Sequence, residues 1–428
     1  MRLFLFRSHL CSDRCTDMIC LEAQYFNLNR ILLQGTAQWP FELSKLARLQ
    51  FIINWTILVS AIMCQITTFV TSQFTSKFAI KVISCILFLS FLTIHYMSFR
   101  INIKTLKDLM EQLHYACTKL RDKNEIAIIQ EYGRTANRVT AACVVLIGIT
   151  KLAFWAVQIA IPYLDNVAPI NGCRPRRLYI DVEYFIDQEK YYYVILIHMN
   201  AALFIGILTV IATGTLMIMF FQHACGMFKI AWYETGHNLT TRILQNYRIE
   251  HAIGINILKN ISFNSEPSIS KKIVYAVDIH REAMQIIDHL MNRFDTMYFC
   301  LVVLSVITLS LNLFQISQSV IFEHNIKEAI IPTISVVVLS IYVFLANVCG
   351  QHITDHNNEI YAAAYNIRWY LCPHHVQRLI VLLLQRKAKQ FHLTCGRLFI
   401  ASYEFFATVN LLAKATMSYF TLMHSTRR

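Results

Sequence analysis

The chain has 428 residues, 56% hydrophobic and 15% charged, with a mean hydropathy of +0.44; soluble domains carry about 45–50% apolar and about 25% charged residues, so a water-solvated globule is excluded and lipid is the expected solvent. The formal net charge is +13, yet the basic residues are scattered between apolar runs and form no dense tract, which argues against a nucleic-acid partner. The thirteen cysteines fall mostly inside apolar runs, and Cys11, Cys15 and Cys20 lack the close paired spacing of a zinc module, so buried thiols are expected and no metal.

In chain order, the opening MRLFLFRSHLCSDR is interrupted by Arg7, too short for a signal-peptide core and without a small-residue cleavage site, so no cleaved leader is expected. Crossing the hydrocarbon takes about 20 mostly apolar residues in a helix, because only a helix satisfies its own backbone there. Seven windows qualify: 51–72, 79–99, 138–161, 193–221, 296–317, 330–349 and 396–423. The fourth is long enough to tilt or to project beyond the membrane. Between spans two and three, Ile103, Leu106, Met110, Leu113, Cys117 and Leu120 recur at helical spacing with charges between them, which predicts an amphipathic helix on the aqueous side.

Loops much longer than about 15 residues normally carry structure of their own, and 222–294 and 350–395 are such segments. In the first, Ile273, Val277, Met284, Ile287 and Met291 repeat at helical spacing beyond the polar break FNSEPSIS. Helices projecting from spans four, five and six and packing together are therefore expected. In the second, VQRLIVLLL is broken by Arg378 and followed by Arg386, Lys387 and Lys389, too short to span and read as a helix buried against protein. Cys372-Pro-His374-His375 has no partner pair for a metal and reads as a turn.

Basic residues near span ends are retained in the cytosol. The alternate segments that include the N-terminus carry twenty-six Lys and Arg, the other set eight. The fold class is accordingly an all-α polytopic membrane protein with seven transmembrane helices, N-terminus cytosolic and C-terminus extracellular. It divides into a cytosolic segment 1–50, helices one to six with the cytosolic loop 222–294 over 51–349, cytosolic helices over 350–395, and the seventh helix with a short tail over 396–428. A G-protein-coupled receptor has the opposite orientation; no Asp-Arg-Tyr follows span three and no Asn-Pro-x-x-Tyr closes span seven, and Cys173 is alone in the outer loops. No HExxH, Walker loop, nucleophile elbow or GxGxxG occurs, so no enzyme and no cofactor are expected. The sequons Asn238-Leu-Thr240 and Asn260-Ile-Ser262 lie in the loop placed in the cytosol and are expected to stay unmodified.

The run Lys414-Ala-Thr-Met-Ser418-Tyr419-Phe420-Thr421-Leu422-Met423 resembles the C-terminal signature of insect odorant receptors. Tyr361, Tyr365, Trp369 and Tyr370 are similar to that family's aromatic cluster after span six, and Gly35 with Trp39-Pro40 to its pre-membrane motif, although the family more often has a shorter Gly-to-Trp spacing. Gustatory receptors tend to end this helix with a Thr-Tyr and a Gln-Phe pair, which this chain lacks. The resemblance implies a heterotetrameric cation channel in the plasma membrane of a sensory dendrite. The chain would be the subunit that binds a small volatile odorant, assembled with a co-receptor through the four aromatic anchor positions. A G-protein-coupled-type or gustatory-type chemosensory receptor is the alternative, and a transporter a third.

Stepping three or four residues along the last helix picks out Glu404, Thr408, Leu411, Ala415, Ser418 and Leu422 on one side. That stripe suits a pore lining or a helix-packing seam equally; the resemblance implies the pore, with Leu422 at the hydrophobic gate. Lys414 would oppose cation flux, so it is expected to face away, pair with a carboxylate or snorkel. The family's pocket lies where the outer halves of spans two, three, four and six converge. Phe88, Phe91, Phe154, Trp155, Gln158, His198, Met199 and Tyr342 fit an aromatic, mostly apolar cavity there. Each also suits plain packing, and Gln158 and His198 stand out because a polar group deep in lipid needs a function or a partner.

Overall fold

With no water to satisfy it, backbone in lipid must close its own hydrogen bonds, and the long apolar runs are helical throughout. The computed structural model describes residues 27–42, 44–71, 75–120, 122–167, 181–238, 266–322, 326–366, 369–371, 374–386, 391–396 and 398–425. A short helix α1 (27–35) precedes α2 (Lys45–Thr71), α3 (Ser76–Ile101), α4 (Ile103–Lys119), α5 (Lys123–Val167) and α6 (Tyr192–Trp232). Then come α7 (Glu266–Ser317), α8 (Ile326–Asn366), α9 (His374–Arg386), a two-stranded hairpin of β1 (Thr394–Cys395) and β2 (Phe399–Ile400), and α10 (Tyr403–Ser425).

Among the described residues, six helices are long and apolar enough to cross a membrane: α2, α3, α5, α6, α7 and α8. The seventh expected span, α10, has 23 residues, about 35 Å at 1.5 Å per residue, which also bridges a hydrocarbon core of about 30 Å. Glu404, Asn410, Lys414 and several hydroxyls make it more polar than the other six. The helices outrun their apolar windows. α5 starts at Lys123 rather than 138, α6 ends at Trp232 rather than 221, and α7 starts at Glu266 rather than 296. Hydropathy ends where the lipid would, whereas a helix continues as long as it has a neighbour to pack on.

The centre of the bundle is α6, which touches α2, α3, α5, α7 and α8. It is apolar all round; from Ile211 to Ala231 it is enclosed almost throughout, with Ala212, Leu216, Ala224 and Phe228 0% exposed, whereas Tyr193, Val194, Ile197 and Phe204 nearer its start face outward. Where α6, α7 and α8 project, a polar layer joins them to α5. Tyr275 donates to Glu125 at 3.1 Å, Lys272 meets the buried Glu234 at 3.1 Å, His280 and Asn357 lie 2.9 Å apart, and Tyr132 and His356 2.6 Å apart. The amphipathic α4 lies against α3 and α7 at this end with Leu106, Leu109, Met110, Leu113 and Ala116 buried. α9 seats Val376 and Ile380 on Ile273, as its length and interrupting arginine predict.

Two local features depart from the sequence reading. Gly396 and residues 398–402, assigned to the last span, instead belong to the hairpin and its link to α10. Gly396 adopts φ +62, a conformation that favours glycine, and its N–H donates to Asp295 of α7 at 2.6 Å. The N-terminal segment, expected only as cytosolic chain, contains α1 packed into the bundle. Its end is a Schellman turn: Gln38 N–H donates to Leu33 C=O and Ala37 N–H to Gln34 C=O. The left-handed residue of that turn is Ala37, φ 59, and not Gly35. The buried Gln38 then donates to Tyr96 C=O at 2.9 Å, tying this turn to α3.

Candidate functional site

Half-way along α6 the helices part around a cavity of about 180 Å³. Apolar side chains of α3, α5, α6, α7 and α8 wall it, including Phe91, Ile147, Ile211, Leu301 and Leu339. On one side it reaches the hairpin, at Cys395 and Phe399, and the root of α10, at Ala401 and Phe405. An apolar protein cavity of about 150 Å³ accepts benzene, so this one holds a single ring or a short chain.

Few polar groups reach this cavity, and their bonds define what they offer. Thr213 spends its hydroxyl proton on Thr209 C=O at 2.7 Å, so it accepts from His95 Nδ1 at 3.1 Å. That leaves His95 Nε2 as an acceptor towards the Tyr342 hydroxyl, at the long distance of 3.4 Å. Tyr342 meets Phe91 edge-on at 5.2 Å, and His95 stacks on Phe99 at 5.2 Å. The site is therefore walled by aromatic and aliphatic side chains, and the Tyr342 hydroxyl in it is loosely held. In the hairpin wall, burial and then the Asp295 carboxylate push the Cys395 thiol up to about 12, which keeps it neutral.

The cavity wall continues into a hydrogen-bonded joint. Asn347 of α8 lines the cavity and accepts the Ser402 N–H at 3.0 Å. Ser402 caps α10, its Oγ accepting the Phe405 N–H at 3.2 Å. Directly beside this, α8 approaches so closely at Gly350 that an added Cβ would lie 2.5 Å from the Ala401 carbonyl oxygen.

On α10 the six-residue stripe is uniformly exposed: Glu404, Thr408, Leu411, Ala415, Ser418 and Leu422. The opposite face packs on α7 and α8, with Val409 and Ala413 buried. Lys414 is exposed about 80° around the helix from the centre of the stripe. Of the anchor aromatics, Tyr365 (70%) and Tyr370 (62%) are exposed, Trp369 is at 37%, and Tyr361 (3%) is buried within its own chain beside His280.

The expected ligand set is divided. Phe91 and Tyr342 both line the central cavity and pack edge-on against each other; Phe88 is half-buried one turn along α3 and Met199 is core. His198 lies elsewhere, with both ring nitrogens engaged. Ser60 donates to Ile57 C=O at 3.1 Å, so it accepts from His198 Nε2 at 2.9 Å, and Tyr184 donates to Nδ1 at 2.6 Å. Burial raises the Tyr184 phenol above its usual value and holds that proton in place. The side chains of Phe154, Trp155 and Gln158 lie outside the described residues, as do the sequon side chains. Lys151 donates to Asn200 at 3.3 Å. His95 escaped the sequence reading, though the reasoning that selected His198, a polar group deep in an apolar run, applies to it equally.

Residues 75–413 match the family model described as 7tm Odorant receptor. The chain belongs to that family. In three dimensions this odorant receptor is similar to the insect olfactory receptor OR5 from Machilis hrabei. In complex with eugenol, that structure gives a TM-score of 0.73 at 14% identity, covering 95% of this chain and 100% of that one. Without that ligand, the values are 0.68, 15%, 95% and 99%. No match was found among curated proteins. The odorant receptor fold thus covers nearly the whole chain, which is a multi-pass membrane protein of a receptor family.

Proposed function

We propose that this odorant receptor is the ligand-tuning subunit of an odorant-gated cation channel. It would act in the plasma membrane of a sensory neuron as part of a heterotetramer with a co-receptor, its N-terminus cytosolic. A small volatile occupies the central cavity against the cluster of Phe91, His95 and Tyr342, its apolar body on the aromatic walls and one polar group on the Tyr342 hydroxyl. The exposed stripe of α10 lines the pore, Leu422 forms the gate, and Tyr365, Trp369 and Tyr370 dock a neighbouring subunit.

One observation carries this reading: the cavity that suits a volatile shares its wall with the joint that seats α10. Asn347 is at once a cavity residue and the acceptor for the cap of α10, and Phe405 on its first turn also lines the cavity. A ligand that displaces α8 shifts the root of α10 directly, and differential contact of this kind is what population shift requires. The similar receptor from Machilis hrabei is known with eugenol, which supports a small organic ligand here.

The test is whole-cell current from cells expressing the chain with and without an insect co-receptor, under G-protein blockade, across a broad volatile panel. Odour-evoked, co-receptor-dependent cation current is expected. A confirmed surface receptor that opens no current but drives a G-protein reporter would replace the channel with a metabotropic receptor. Glycan at Asn238 or Asn260 would reverse the orientation.

A further inference from the structure

A second cavity, of about 230 Å³, opens at the other level of the bundle, where α4 crosses over α5, α6 and α7. It shares no lining residue with the central one. Leu120, Ile129, Met227 and Ile279 make its walls apolar, and His223 of α6 lines it. This histidine is only 7% exposed, and its Nε2 is buried without a hydrogen-bond partner. Buried polar atoms are almost always satisfied, so an unmet one in a cavity wall marks where a ligand group is recognised.

The charged groups at the mouth are paired with one another. Glu282 is held by Lys119 at 3.3 Å and Asp278 faces Arg281 at 3.8 Å, so neither carboxylate is left for a cation. Ring-sized ligands fill about 150 Å³, which leaves room here for a ring with a short substituent, or for an alkanol. A hydroxyl is the group that suits His223 in either tautomer, because it both donates and accepts.

We propose that this cavity is a second ligand site, taking small neutral hydroxyl-bearing amphiphiles such as phenols and medium-chain alkanols, with the hydroxyl on His223 Nε2 and the apolar body against Leu120, Ile129, Met227 and Ile279. Occupancy wedges α4 against α6 and α7, so the site modulates the bundle from outside the central cavity and stands whether or not a volatile binds there.

The experiment photolabels the purified full-length chain in nanodiscs with a diazirine-bearing octanol, maps adducts by mass spectrometry and competes with 4-ethylphenol or ethylbenzene. Adducts are expected on the α4 and α6 segments around Leu120 and Met227, suppressed by excess 4-ethylphenol and lost in Met227→Trp, which fills the cavity. His223→Leu keeps the apolar volume and removes the polar atom. It should weaken competition by 4-ethylphenol about tenfold, the scale of one hydrogen bond, while leaving ethylbenzene unchanged. Folding of both variants is checked by circular dichroism and size exclusion. If either variant misfolds, the other still decides. Adducts confined to lipid-facing positions or the central cavity, labelling indifferent to Met227→Trp, or equal behaviour of the two competitors in His223→Leu would overturn the site.

Discussion

Helices α6 and α10 are built to opposite rules. From Ile211 to Ala231 α6 is enclosed almost throughout, and its sequence is apolar all round. α10 packs along one half only, and the other half carries small and polar residues into the open. A helix is finished by its own chain when its neighbours cover it. One that leaves half its surface bare, with a polar stripe along the bare side, is shaped for a partner or for water. The pore assignment therefore rests on the contrast with α6 as much as on α10 itself.

The strongest way to break this comparison is a matched pair of truncations. Leu216→Ala on α6, where the side chain is 0% exposed, should destabilise the chain by about 2–5 kcal/mol. Leu411→Ala on α10, where it is 68% exposed, should change stability by less than about 0.5 kcal/mol while altering odour-evoked current. Thermal unfolding in detergent measures the first quantity for both, and equal losses would erase the distinction. A sharper version targets the joint between ligand cavity and pore helix. Asn347→Ala leaves the Ser402 N–H unmet, which should cost about 1–3 kcal/mol and shift the concentration of volatile needed for half-maximal current. The last effect is a gain. Ala37 holds a left-handed conformation that suits glycine, so Ala37→Gly should raise stability by about 1 kcal/mol with the ligand response unchanged.

The membrane-crossing helices and the α10 stripe were legible in the sequence because both rest on periodicity and hydropathy, which a single chain displays openly. The hairpin was not. Residues 396–402 read GRLFIAS, apolar enough for a span, and it is the bonds from Gly396 to Asp295, Ala401 to Leu393 and Ser402 to Asn347 that turn the chain away from the helix. Tyr361 was grouped with three other aromatics as an anchor, but a helix presents different faces to different partners, and this one points at His280. The turn after α1 shows the same limit. Gly35 carried the motif by eye, whereas the residue that needs glycine geometry is Ala37, two positions before Trp39, which explains the longer Gly-to-Trp spacing in this chain. Phe91 and Tyr342, selected by depth and aromatic character, line the central cavity; His198, selected by the same logic, is held by Ser60 and Tyr184.

The most direct test of the central account is cysteine accessibility along α10 in the assembled channel. Single substitutions Ala415→Cys and Ser418→Cys on the exposed stripe, and Val409→Cys and Ala413→Cys on the packed face, are exposed to a membrane-impermeant thiol reagent while odour-evoked current is recorded. The account predicts irreversible loss of current for the first pair and none for the second. Modification of the packed face with the stripe unaffected, or equal block at all four positions, would contradict it.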